Sequence, residues 1–208
     1  MKAVKTTYKG LEYRSRLEAR WAAFFDSVGW DYNYEPIDLD GWFPDFRLKA
    51  YDHRDVLVEV KPFTELQQFI NEGVCEKIEH AVKPYPDFEV LLLGVAPMFP
   101  RYPSDKLMSA YNHKNYIGYI GERLCRCLDD CHDIDWDFAP LAVGKLGSAG
   151  LPENVLMDFC HETQDFRHRL SGAYDGCHGN ISEWKARNIV QEHWGNACNQ
   201  TGYVNPKW

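Results

Sequence analysis

Glu59 and Lys61 stand two residues apart in a β-rich run, Val56, Leu57, Val58, Glu59, Val60 and Lys61. Side chains alternate across a strand, so Val56, Val58 and Val60 share one face, and Leu57, Glu59 and Lys61 share the other. A carboxylate and an ammonium thus lie together near the end of what should be an interior strand. Burying either alone costs several kcal/mol, so they must pair or line a wet cleft. The preceding run carries Phe43, Pro44, Asp45 and Phe46, a single carboxylate among large apolar neighbours. Pro44 removes a ladder donor and marks an irregular stretch or an edge. Two carboxylates on adjacent strands beside a lysine make an all-oxygen site suited to Mg²⁺ or Mn²⁺, with the lysine free to orient or activate a water. The plainer alternative is a partly buried ion-pair network without catalytic role.

The elements that position these groups follow from hydrophobic periodicity. Leu17, Trp21, Phe24, Phe25 and Val28 recur at helical spacing over residues 13–28, and Gly29 follows as a stop. Glu18 falls at the margin of that apolar stripe, where a third carboxylate can reach the sheet, or else pairs with Arg14 or Arg20 along the helix. Three strand-like runs come next, at 30–35, 42–48 and 56–61, separated by Pro36, Asp40-Gly41 and residues 52–55. A second helix is expected over 63–82 from Leu66, Phe69, Ile70, Val74, Ile78 and Val82. The nearly continuous apolar run 88–95 reads as a strand buried on both faces. The order α-β-β-β-α-β predicts an α/β core with a mixed sheet flanked by helices.

Glu18, then Pro44-Asp45, then Glu59-Val60-Lys61 on that order of elements resembles the PD-(D/E)xK nuclease superfamily. The strings Tyr13-Arg14-Ser15-Arg16-Leu17-Glu18-Ala19-Arg20 and Leu57-Val58-Glu59-Val60-Lys61-Pro62 are similar to its phage-encoded members and to transposon endonuclease subunits. The resemblance covers residues 8–96 and implies a restriction-endonuclease-like core. It implies that Asp45 and Glu59, helped by the Val60 carbonyl, hold Mg²⁺ or Mn²⁺. Lys61 would position the attacking water and Glu18 would complete the site. The implied activity is metal-dependent hydrolysis of phosphodiester bonds, in DNA first, with Arg14, Arg16 and Arg20 on flanking phosphates. A catalytically inactive nuclease fold kept as a nucleic-acid- or protein-binding scaffold is the alternative. Glu35, at the end of the first strand, reads as a turn residue within reach of the cleft. Gln67 and Gln68 occupy a stretch where some exonuclease-like relatives contact substrate.

Composition sets the outer bounds. The chain has 208 residues, 45% of them apolar and 26% charged, which is ordinary for a globular protein and argues against disorder. The net charge of −8 works against nucleic-acid binding, but it is unevenly spread. Residues 1–20 hold Lys2, Lys5, Lys9, Arg14, Arg16 and Arg20 against Glu12 and Glu18, while residues 62–208 carry 13 basic and 20 acidic groups. No run reaches the length of a membrane span and the first residues have no apolar block, so an intracellular, cytoplasmic protein is expected, in the host cytoplasm if phage-encoded. Seven cysteines without an export signal read as free thiols.

The three prolines Pro97, Pro100 and Pro103 suggest a boundary, with a nuclease-like core over 1–96 and an α+β accessory region over 97–208 that shapes the substrate channel, binds a protein partner or forms a homodimer. Within that region, strands are expected at 116–120 and 134–143, a loop at 144–152 and helices at 154–170 and 182–197. Cys125, Cys127, Cys131-His132, Cys160-His161 and Cys177-His178 lack the paired spacing of a structural zinc site, so zinc is not expected. Trp184 and Trp194 have the spacing of core residues, and Trp208 could stack on a base.

Overall fold

The computed structural model describes residues 3–49, 55–85, 88–98, 116–123, 134–145, 155–159 and 183–202. The chain opens with a hairpin, β1 (Thr6–Tyr8) and β2 (Leu11–Tyr13), turning at Lys9-Gly10 with both residues at positive φ. Sequence periodicity assigned residue 13 to the first helix; Tyr13 instead ends β2, and α1 runs Arg16–Val28. Ser15 sets that start, because its side-chain oxygen accepts the Glu18 N–H at 3.1 Å. Gly29 sets the end at φ 75°, with its N–H on the Asp26 carbonyl and the Trp30 N–H on the Phe25 carbonyl. This double closure requires a left-handed residue, which glycine adopts without a Cβ penalty.

The main sheet runs β3 (Tyr32–Tyr34), β4 (Phe46–Leu48), β5 (Val56–Val60), β6 (Glu89–Leu93), β7 (Tyr116–Arg123), β8 (Ile134–Lys145) and β9 (Val155–Phe159), in that spatial order. Only β5 and β6 are parallel; the other neighbours are antiparallel, so the sheet is mixed. The crossover between β5 and β6 holds two helices rather than one, α2 (Leu66–Asn71) and α3 (Val74–Val82). Gly73, at φ 69°, breaks the register that the apolar spacing carries straight through. The expected order α-β-β-β-α-β is otherwise present, and the chain is an α/β protein with a mixed sheet and flanking helices.

Each face of the sheet supports its own core. Val56, Val58, Val60, Leu91 and Leu93 pack with Trp21, Phe24 and Phe25 of α1. Leu57, Val90 and Leu92 pack on the opposite side with Phe69, Ile78 and Val82. This is the alternation expected for β5. All five β5 residues are buried, Glu59 among them, as befits a central strand.

Two expectations for the later chain change. The helix expected over 154–170 is wrong at its start, where Val155–Phe159 forms β9 against β8; residues 160–170 lie outside the described set. Residues 144 and 145 belong to β8 rather than to a loop, and 146–152 are outside the described set. The sheet also continues across residue 97, since β7 pairs with β6. Helix α4 (Glu183–Gln200) lies on α1, with Trp194 4.7 Å from the Trp21 ring and Val190 and Ala197 in the same core. Trp194 is therefore a packing residue, as its spacing indicated. No described helix is long and apolar enough to cross a membrane.

Candidate active site

Pairing between β4 and β5 joins Phe46 to Val58, and one step further along that register sets Asp45 opposite Glu59. The ladder stops there, as Pro44 foretold, and side chains replace it. The Val60 N–H donates to Asp45 Oδ2 at 2.7 Å, and the Asp45 carbonyl accepts the Glu35 N–H at 2.9 Å. Glu59 sits on the far face of β5, where Trp42 Nε1 donates to its Oε2 at 2.7 Å and Lys61 Nζ pairs with its Oε1. Glu18 arrives from the first turn of α1 and accepts the Tyr34 hydroxyl at 2.6 Å. Glu18, Asp45 and Glu59 are all buried, at 7%, 3% and 6% exposure, and they are three of the four buried polar or charged residues among those described. Buried carboxylates on this scale require close partners or a ligand.

Arg14 is the principal partner. It lies in the link between β2 and α1, and its backbone N–H is held by the Tyr34 hydroxyl at 3.0 Å. Its guanidinium pairs with Asp45 Oδ1, reaches Glu35 Oε1 at 2.8 Å and lies 3.8 Å from Glu18 Oε2. Four carboxylates, Glu18, Glu35, Asp45 and Glu59, thus meet two cations, Arg14 and Lys61. Glu35, which the sequence left as a turn residue, joins the site with φ 45°. A non-glycine residue in that region costs about 1–3 kcal/mol and persists only where its surroundings impose it. Here the backbone bond to Asp45 and the ion pair to Arg14 do so.

Burial, followed by the nearby charge of Glu59, pushes the Asp45 carboxyl up to about 7, against the pull of Lys61 and the Val60 N–H. The sign has a consequence for stability. The folded carboxyl holds its proton through pH values at which the unfolded one, near 3.8, has lost it. Stability from this group is therefore fully present below about pH 4 and lost as pH rises to about 7. Urea midpoints measured from pH 4 to 8 should show wild type losing ground to Asp45→Asn over that interval. Parallel profiles would contradict the assignment.

The remaining candidates divide. Val60 is brought to the site through its N–H. Arg16 and Arg20 are half-buried on α1, and Arg20 Nε is buried without a hydrogen-bond partner among the described residues. Lys5 and Lys9, two members of the basic N-terminal group, pair with Glu12 and Asp26. Gln68 caps α2 by accepting from the Thr64 and Glu65 N–H groups, and Gln67 pairs with Asn71. Cys75 and Cys198 are free thiols. Cys125, Cys127, Cys131, His132, Cys160, His161, Cys177, His178 and Trp208 lie outside the described residues, as does the side chain of Trp184.

Trp42, Tyr34 and Ser15 were not singled out from the sequence. Ser15 had a usable signal, since a serine three residues before a glutamate at the head of an apolar run marks a helix start. Trp42 and Tyr34 had none, because their partners come from distant segments.

The donor chemistry suits a hard divalent ion: carboxylate oxygens on a net negative site, with no thiolate or imidazole among them. As placed, however, no three acidic, histidine or cysteine side chains among the described residues form a group that could hold an ion. The carboxylates are instead held by Arg14, Lys61, Tyr34, Trp42 and the Val60 N–H. No protein family, curated protein or solved structure matches the chain. The fold defines the molecule as an α/β protein; any activity must be argued from the site.

Proposed function

We propose that the chain is a Mg²⁺- or Mn²⁺-dependent nuclease of the PD-(D/E)xK type, acting on phosphodiester bonds in DNA, with residues 1–96 as its restriction-endonuclease-like core. The observation that carries this reading is the convergence of the buried carboxylates Asp45, Glu59 and Glu18 with the partly exposed Lys61 at one end of the β4–β5 pair, close enough for Glu59, Lys61 and Glu18 to act on the Asp45 carboxyl. The order α1, β3, β4, β5, the helical crossover and β6 supports the same reading.

In this mechanism Asp45, Glu59 and the Val60 carbonyl would hold the ion, and Glu18 would complete the site. The bound ion supplies Lewis-acid stabilisation of phosphate charge and a lowered pKa for water. Trp42 fixes one oxygen of Glu59, so the carboxylate keeps its orientation while its other oxygen is free to exchange partners. Lys61, about a third exposed, is tethered through Glu59 alone among the described residues and can hold a water or a phosphate oxygen at the mouth of the site. Tyr34 orients Glu18 in the same way. Arg14, Arg16 and Arg20 would serve as contacts to flanking phosphates.

A second reading has one observation in its favour. Every buried carboxylate is already satisfied by Arg14, Trp42, Lys61, Tyr34 or the Val60 N–H, as in a retired site retained as a binding scaffold. Metal linkage separates the two. At millimolar Mn²⁺ a working site should raise the thermal midpoint of wild type, and Asp45→Ala should erase that rise. An unchanged midpoint in both proteins would favour the scaffold.

A further inference from the structure

The placement of Arg14 explains how carboxylates from three segments, two of them buried, remain stable together while no ion-holding group is formed among the described residues. One guanidinium bridges Asp45, Glu35 and Glu18, which come from the lead-in to β4, the end of β3 and the start of α1. A divalent ion would perform the same bridging. The two cannot share Asp45 Oδ1, since like charges a few ångströms apart in a poorly solvated site repel strongly.

Arg14 is also placed to leave. Its side chain is 52% exposed, whereas the Asp45 side chain that it covers is 4% exposed. Its backbone is pinned by Tyr34, so the stem can swing out to water without moving α1. Lys61 differs, because among the described residues its ion pair is with Glu59 and not with Asp45.

We infer that Arg14 is a positioning residue that acts as a resident counter-ion: its guanidinium holds the acidic site closed in the metal-free chain and must swing outward before a divalent cation can take its place. This rests on the metal-centre reading above and adds a competition between an internal and an external cation for the same oxygens. A latch closed nine-tenths of the time weakens apparent affinity about tenfold.

The test is calorimetric titration of Mn²⁺ into wild type, Arg14→Ala, Arg14→Gln, Arg16→Ala and Asp45→Ala, with folding checked by circular dichroism. Arg14→Gln keeps a polar stem if the alanine variant does not fold. The latch requires Arg14→Ala and Arg14→Gln to bind Mn²⁺ about tenfold or more tightly than wild type. Arg16→Ala removes the same charge two residues along the chain, from a side chain with no ion pair to these carboxylates among the described residues, so it should change affinity much less. A gain of affinity runs opposite to the loss that a merely structural role would cause. Binding in the Arg14 variants but not in wild type would also support the latch. Equal or weaker binding in the Arg14 variants, or an equal gain in Arg16→Ala, would overturn it while leaving the metal centre standing. No binding by any protein would overturn both.

Discussion

Lys61→Ala should lose phosphodiester cleavage by about 10²- to 10⁴-fold, the range associated with a positioned proton-transfer or water-orienting group. The same variant should bind Mn²⁺ as tightly as wild type, or more tightly. The two expectations separate because Lys61 supplies no ligand oxygen. It touches Glu59 Oε1, and its removal leaves Glu59 Oε2 on Trp42 Nε1. The ligand set therefore stays oriented and loses only a competing cation. Asp45→Ala and Glu59→Ala should lose binding and cleavage together. Single-turnover rates beside Mn²⁺ titrations distinguish these patterns. Cleavage at the wild-type rate in Lys61→Ala would remove the lysine from the mechanism, and lost metal binding would make its role structural.

Trp21→Ala should destabilise the chain by about 3–5 kcal/mol, the usual range for deleting a large aromatic side chain from a core. Trp21 is fully buried, and its indole Nε1 donates to the Gly94 carbonyl at 2.9 Å just beyond β6. Its ring packs on Phe24 and Phe25 of α1 and on Trp194 of α4. One side chain thus ties the first helix to the central sheet and to the last helix. The expected signature is a lower urea midpoint together with faster amide exchange in α4, because the Trp194 contact is lost on the far side. If exchange in α4 stayed at the wild-type rate while the midpoint fell, α4 would not belong to the same cooperative unit.

That coupling bears on what the sequence could reveal. The elements through residue 96 are legible because apolar residues keep helical or strand periods over long enough runs, as in α1 and β5. Their ends are less so. Tyr13 fits the helical stripe but pairs with Thr6 in a hairpin, and only the Ser15 cap fixes where α1 begins. Gly73 splits the crossover helix although the apolar spacing runs through it. Val155, Leu156, Met157 and Phe159 form so short an apolar run that helix and strand periods fit equally, and pairing with β8 decides. The continuation of the sheet past residue 97 was hidden because prolines break local pattern without preventing a distant strand from pairing with β6.

The site divides in the same way. Asp45, Glu59, Lys61 and Glu18 were legible because a charged residue inside an apolar run must be satisfied somehow, whatever surrounds it. Glu35, Trp42, Tyr34 and the bridging role of Arg14 depend on segments up to 31 residues apart meeting in three dimensions. Local spacing carries no trace of that. Arg14 shows the difference most clearly: it reads as a helix residue set on flanking phosphates or on Glu18, yet it lies before the helix and pairs with the most buried carboxylate of the site.

The most direct test of the nuclease assignment is a cleavage assay on labelled single-stranded, duplex, flapped and branched DNA and on RNA. Wild type and Glu59→Ala would be compared in Mg²⁺, Mn²⁺ and EDTA. The account predicts cutting of at least one DNA substrate by wild type with either metal, none in EDTA, and none by Glu59→Ala. Cutting that survives EDTA or the loss of Glu59, or no cutting of any substrate by wild type, would contradict it.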